Sequence, residues 1–314
     1  MIAAFAVPVQ QARAGGLYPT ILVTAAPLQP IVDALLDGAA RSQLLTHAGQ
    51  DAHTMVLSPS QSKALQTAEM IVVPDREMNN VVSGLVAQAE TRGARVIALS
   101  ELRDADPLPY PIRQPWLGDA QEQVDTNELT DPHLWLDPLR MAAIATPLAD
   151  ALTQAMPAAK TTLQANASAL SRHLRREVHP ALETMLADRP ARMNYSARDS
   201  WPFVTDHQAY QYFLTRYGID NPGALLVRPE DYLGARSSRN VLKRAGQIRL
   251  RCVIGEQETA TTRAVMAASH ARFVRASAEI VPDKRDVPAL PWIQNGYDRL
   301  LYRIARQFAD CLQK

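Results

Sequence analysis

No stretch of the chain approaches the ~18 consecutive apolar residues that a membrane-spanning helix needs, so nothing in it is expected to insert into a bilayer. An excess of one charge is also lacking: 33 basic residues stand against 32 acidic ones, a formal net charge of +1. That balance carries no footprint for nucleic acid or for lipid, and both are set aside as partners. Cysteine is nearly absent, with only Cys252 and Cys311. In an exported protein such an even pair is a disulfide candidate, whereas in a cytosolic one the two would be inert core thiols. Histidine is missing from the Pro-rich, acidic stretch 103–130, and there is no His-Glu-x-x-His helix anywhere.

What is present describes ordinary globular matter. A length of 314 residues with 47% apolar content predicts about two domains. At the start, the apolar run Ile2 to Val9 followed by Ala12-Arg13-Ala14 looks like the end of a secretory signal with its small-residue cleavage site, although the basic leading region is missing. Residues 1–16 are therefore read as a signal remnant rather than an ordinary frayed terminus, with the mature chain beginning near Gly15.

Between Gly16 and Ser100, strand-like runs alternate with helical ones: Thr20 to Thr24 then Leu28 to Leu36, Met70 to Val73 then Val81 to Ala89, and then Arg95 to Leu99. Such alternation implies a parallel sheet, and residues 17–138 are assigned to a first α/β lobe. Residues 103–130 show no periodicity and are read as a long surface loop. Helices are predicted over 139–155 and 157–187, the second opened by Pro157 and kinked by Pro180, and 139–189 is taken as a helical linker. Its Leu163, Leu170, Leu174, Val178 and Leu182 make one buried face, so it is a strut on the order of 45 Å long. His173 and His179 on this strut are read as surface or capping residues.

A second alternating set fills 190–314: Pro202 to Val204 then Ala209 to Tyr217, Ala224 to Val227 then Ser238 to Ala245, Cys252 to Ile254 then Thr259 to Ala268, and Ala278 to Val281 before a last helix from about Asn295. The apolar stripe Tyr297, Leu300, Ile304, Phe308 and Cys311 turns Cys311 inward, where it can meet the strand of Cys252. A disulfide between them is expected on three grounds: the export signal, the even count and that inward face.

Three histidines stand where predicted strands give way to loop or helix, which is where α/β folds build sites. His133 lies in Asp131-Pro132-His133-Leu134-Trp135-Leu136-Asp137-Pro138, held stiffly by two prolines. His53 lies in a polar loop running into Ser58-Pro59-Ser60, and His207 follows the strand-like Pro202-Phe203-Val204. A lone histidine in a Pro-rich turn is more often a helix cap; three at such junctions point to a metal.

The stretches His53 to Ala68, Asp131 to Pro138 and His207-Gln208-Ala209-Tyr210 leading to Tyr217-Gly218 resemble, in order, motifs of the zinc-binding periplasmic proteins of ABC importers, the ZnuA/TroA type. Leu22 to Leu28 is similar to that family's opening strand, and Cys252 to Glu256 with Ala309 to Leu312 to its zinc-specific C-terminus. The resemblance implies an α/β clamp of two parallel-sheet lobes joined by one long backbone helix, with the metal in the cleft. It implies His53, His133 and His207 as ligands and Asp283, with Asp286 as its rival, as a fourth, acidic one. The family's Leu-Asp-Pro-Leu-Gly pattern is replaced here by Pro282-Asp283-Lys284-Arg285-Asp286, and Ala52 stands where an acid precedes the first histidine.

Three imidazoles and a carboxylate suit zinc, whereas manganese prefers oxygen-rich sites; copper and nickel are not separated from zinc by affinity order. Asp131, Asp137 and Asp206 can orient the imidazoles, or can equally cap helices. The expected function is periplasmic capture of zinc by a monomer and its delivery to an ABC permease with its ATPase, without enzymatic activity. The alternatives are a zinc-dependent hydrolase and an adhesin-like surface protein of the same fold.

Overall fold

Short runs of β-branched and aliphatic residues, each closed by a polar or Pro-containing turn and followed by a helical stretch, build two parallel sheets. The computed structural model describes residues 19–47, 50, 53, 55–78, 80–111, 129–187, 200–229, 231 and 233–312. The stretch 1–16 expected to be a signal remnant and most of the 103–130 loop lie outside these residues. In the first sheet β1 (Ile21–Val23), β2 (Ser42–Leu44), β3 (Met70–Val73) and β4 (Arg95–Ala98) pair in the order β2-β1-β3-β4. The crossovers are α1 (Gln29–Leu36), α2 (Pro59–Thr67) and α3 (Asn80–Thr91). The start of α2 is written locally: Ser58 Oγ accepts from Gln61 N, Gln61 Oε1 accepts from Ser58 N, and Pro59 takes the first turn.

The second sheet repeats this connectivity. Strands β5 (Ser200–His207), β6 (Ala224–Leu226), β7 (Arg249–Gly255) and β8 (Arg272–Arg275) run in the order β6-β5-β7-β8, crossed over by α7 (Gln211–Arg216), α8 (Ala235–Ala245) and α9 (Ala260–Ser269). The strand expected at Ala278–Val281 is not one. The edge position is taken by β8, whose Phe273 and Val274 are hidden in the sequence between Arg272 and Arg275. Beyond it the chain turns inward, leaving Ala278 and Glu279 buried and Ile280 exposed.

Alternation along the strands divides the core into layers. Ile21, Val23, Met70, Val72, Phe203, Cys252 and Ile254 face a core shared by both lobes and the linker. Leu22, Ile71 and Val73 face the opposite way, under α2 and α3, while Val204, Leu250 and Val253 face away under α8 and α9. The linker consists of α4 (Pro138–Thr153), α5 (Lys160–His173), a π turn (Leu174–Val178) and α6 (His179–Met185). The π turn stands immediately ahead of Pro180, whose missing N–H and bulky ring cannot be accommodated in a regular α-helical ladder. The last helix, α10 (Gly296–Leu312), buries the expected stripe, with Phe308 edge-on to Phe203 at 5.3 Å. Cys311 on α10 is bonded to Cys252 on β7, with Cα atoms 6.1 Å apart.

His173 is not the surface residue expected from its helix. It is buried, with Nε2 3.0 Å from Asp298 Oδ2 on α10 and Nδ1 3.3 Å from Glu177 Oε2. Asp298 also accepts from Gln294 N and Asn295 N, so the pair ties the strut to the start of α10. Burial opposes charge on His173, but Asp298 and Glu177 outweigh it and hold the imidazole pKa above its ordinary value. A group raised in the folded state stabilises the fold below its unfolded pKa of about 6.5 and loses that contribution as pH rises through the folded value. His173→Gln is therefore expected to cost more stability at acidic than at alkaline pH, measured by urea unfolding on both sides. An equal cost at both would show that the pair is not ionised.

Candidate metal centre

Each of the three histidines sits at the carboxyl edge of a sheet or just before a helix. His207 is the last residue of β5, with Nδ1 2.9 Å from Asp206 Oδ1. The second oxygen of Asp206 accepts from Glu256 N at 2.9 Å. Gly255 makes room for this: a Cβ there would fall 2.4 Å from Asp206 Oδ2, so a side chain would push the carboxylate off its imidazole. His133 begins the 3-10 turn Leu134–Leu136 ahead of α4. Asp131 Oδ1 accepts from His133 N at 3.0 Å and lies 2.6 Å from its Nδ1. His53 lies in the β2–α2 connection, which is tied back where Gln61 Nε2 donates to Leu45 O and to Gln50 Oε1.

These three chain positions, far apart in sequence and drawn from both lobes, converge. One nitrogen from each imidazole lies within 4.8 Å of the others, and all three residues are buried. The Nε2 atoms of His53 and His133 are 2.9 Å apart. A carboxylate completes the group: Glu279 Oε1 is 3.4 Å from His133 Nε2 and 3.7 Å from His53 Nε2. A tetrahedral ion with bonds of about 2.0–2.1 Å needs donors about 3.3 Å apart, which these separations approach. His207 Nε2 is buried without a hydrogen-bond partner among the described residues, an orphan that a metal ion would satisfy.

The electrostatics differ at each imidazole. Burial, with His133 and His207 adding repulsion, pushes the His53 pKa well below its ordinary value, so His53 is neutral. Burial also opposes charge on His133, but Asp131 and Glu279 outweigh it and raise its pKa to about 10. His207 is raised in the same sense, burial being overcome by Asp206. His133 thus faces Asp131 through Nδ1 and both Glu279 and neutral His53 through Nε2, and the two carboxylates favour its charged form.

Asp283 does not join the group. It is exposed, caps the short turn Lys284–Asp286 and accepts from Arg285 N and Nε at 2.9 and 3.2 Å. That arginine holds its carboxyl below the usual range. Its rival Asp286 is also exposed, 3.6 Å from Arg303. Asp137 takes the capping role: it accepts from Leu139 N and Arg140 N at the start of α4 and pairs with Arg216 through both oxygens, each at 2.7 Å.

Glu279 was hidden by its neighbours. Ala278, Ile280 and Val281 make it look like part of a strand, whereas it follows the carboxyl end of β8 by four residues, the same kind of place that holds His207. Both lobes set its position. Trp135 Nε1 donates to Ala278 O at 2.9 Å, Tyr297 Oη to Trp135 O at 2.6 Å, and Tyr210 Oη to Ala276 O at 3.0 Å. A further tie runs the other way: Tyr212 of α7 accepts from Leu108 N and donates to Asp131 O, gripping the residue that orients His133.

Two parallel-sheet lobes on a helical backbone, with a buried imidazole and carboxylate cluster drawn from both, define a clamp-type solute-binding protein. The profile of the family described as "ZnuA: Zinc-uptake complex component A periplasmic" matches residues 21–289, and the chain belongs to that family. It is 24% identical to the high-affinity zinc uptake system protein ZnuA of Brucella suis, over 94% of this chain and 92% of that protein. In fold it is similar to the periplasmic zinc-binding protein TroA of Treponema pallidum, with a TM-score of 0.71 and 18% identity over 95% of this chain and 100% of that one. It also resembles FpvC of Pseudomonas aeruginosa, solved in complex with Mn2+, with a TM-score of 0.71 and 16% identity over 94% and 98% of the two chains.

Proposed function

We propose that the protein captures a single zinc ion between its lobes in the periplasm and delivers it to the permease and ATPase of an ABC importer. The observation that carries this is the convergence of His53, His133, His207 and Glu279 from separate segments of both lobes onto one buried point. Ligands shared between lobes suit capture and release, because parting the lobes dismantles the site. Three nitrogens and one oxygen favour zinc over manganese. No helix among the described residues is long and apolar enough to cross a membrane.

In this reading the carboxylate ligand is Glu279 rather than Asp283. Titration of chelator-stripped protein is expected to give one zinc per chain, bound more tightly than manganese. Glu279→Ala should weaken zinc by about tenfold, a modest loss because water can occupy the vacated position. Asp283→Ala should leave affinity unchanged. The opposite pattern would return the ligand to the Asp283 turn, and failure of the unaltered protein to bind zinc would refute the function itself.

A further inference from the structure

The near-zero net charge of the whole chain conceals a strong local imbalance. From Ala235 to Arg275, spanning α8, β7, α9 and β8, nine arginines and lysines meet only two acids, Glu256 and Glu258, a net of +7. The span with the same connectivity in the first lobe, 59–98, holds four bases and four acids and is neutral. The lobes share one architecture, so the fold itself does not demand the basic excess.

Arg251 and Arg272 of this span donate to Leu312 O and Asp310 O on α10, and the rest of the excess centres on an outer face. Helices α8 and α9 cover the side of the second sheet turned away from the core shared with the first lobe. On α8, Arg236, Arg239 and Lys243 are exposed, the helix carries no acid, and none of these three forms an ion pair among the described residues. Arg236 and Arg239 are three apart and Arg239 and Lys243 four apart, spacings at which like charges destabilise a helix. Exposed Arg249 and Arg263 extend the patch past the helix. Leu242 stands exposed among them, one of few large apolar side chains turned to solvent.

We infer that this face of the second lobe docks on the anionic phospholipid surface of the membrane. The bases are spread over two helices and their flanking turns instead of converging on one point, which matches a broad, diffuse anion better than a small ligand. An apolar residue among exposed cations also fits the boundary between headgroups and acyl chains. The first lobe opposes such contact, since residues 17–138 carry sixteen acids against seven bases. The protein therefore meets the membrane by its second lobe, and the metal cluster, on the far side of the sheet layer from α8, is left free.

The test is co-sedimentation of the full chain with phosphatidylcholine vesicles, with and without phosphatidylglycerol, at low and physiological salt. Binding is expected only with the anionic lipid and should weaken as salt rises. Arg236→Glu, Arg239→Glu and Lys243→Glu together should reduce it by at least about tenfold. The matched first-lobe variant, Lys63→Glu, Arg92→Glu and Arg95→Glu, should bind as the unaltered protein does. Glutamine at the same three α8 positions gives an intermediate loss, and retained zinc affinity shows that each variant is folded. Binding indifferent to phosphatidylglycerol, or unaffected by the α8 reversal, overturns the proposal. So does binding seen only when a permease is present in the vesicles, which would make the partner an acidic protein surface. The inference is independent of which metal the cleft holds.

Discussion

His133→Ala is expected to weaken zinc binding by roughly 100- to 1000-fold, because a protein-held zinc is worth about 10–16 kcal/mol, one of four donors is about 3–4 kcal/mol of that, and 1.4 kcal/mol is tenfold. His133 takes part in most of the cluster's described contacts. It touches His53 through Nε2, is oriented by Asp131 through Nδ1 and stands nearest to Glu279. Its raised pKa adds a second signature. With a value of about 10, His133 carries a proton at neutral pH that zinc must displace, so binding in the unaltered protein releases a proton and tightens as pH rises. Calorimetry in buffers of different ionisation enthalpy reads both quantities, and the alanine variant should show the lower affinity with one fewer proton released per zinc. The rest of the fold should persist, since the shared core does not pass through the imidazole. Unchanged affinity and proton release would remove His133 from the site.

The parts of this site that can be read from sequence are those whose signals are local. His133 announces itself through flanking prolines and aspartates, and His207 through its place at the end of a hydrophobic strand. Glu279 lacks such a signal, because its apolar neighbours imitate a continuing strand and only the pairing of β8 with β7 shows that the sheet has already ended. Asp283 was named from its place in the family pattern ahead of the last helix, yet an arginine two residues on satisfies it locally. The strut shows the same division. Its apolar face follows from periodicity, but the partner of His173 lies 125 residues away on α10, and no helical spacing points to it. The edge strand β2 escapes for a different reason: Ser42-Gln43-Leu44 is half exposed and has no run of apolar residues to mark it.

These nonlocal contacts also explain how the lobes act on one another. Tyr212 and Arg216, on α7 of the second lobe, reach Asp131 and Asp137 on either side of His133. Trp135, two residues beyond His133, reaches back to the carbonyl beside Glu279. Each lobe therefore helps to position a proposed ligand contributed by the other, so on the proposed reading parting of the lobes would disturb the orientation of His133 and Glu279 as well as their separation.

The Cys252–Cys311 bond is expected to contribute about 4 kcal/mol to stability, the loop-closure figure for the 59 residues between its ends. It joins a central strand of the second sheet to the helix that closes the chain, and both sulfurs are fully buried in the core shared by the lobes. The helix has other anchors, including Phe308 against Phe203 and Tyr210, so reduction should loosen its end without releasing it. The loss corresponds to a fall in melting temperature of roughly 6 °C for a chain of this size. Zinc affinity should be unaffected, because neither sulfur belongs to the imidazole cluster. Cys252→Ala with Cys311→Ala should reproduce the effect of reductant, somewhat enlarged by the space the sulfurs leave. The decisive comparison is the melting temperature of protein matured in an oxidising compartment, before and after reduction, with free thiols counted in each sample. An unchanged melting temperature after complete reduction would show that the bond closes a loop already closed by packing.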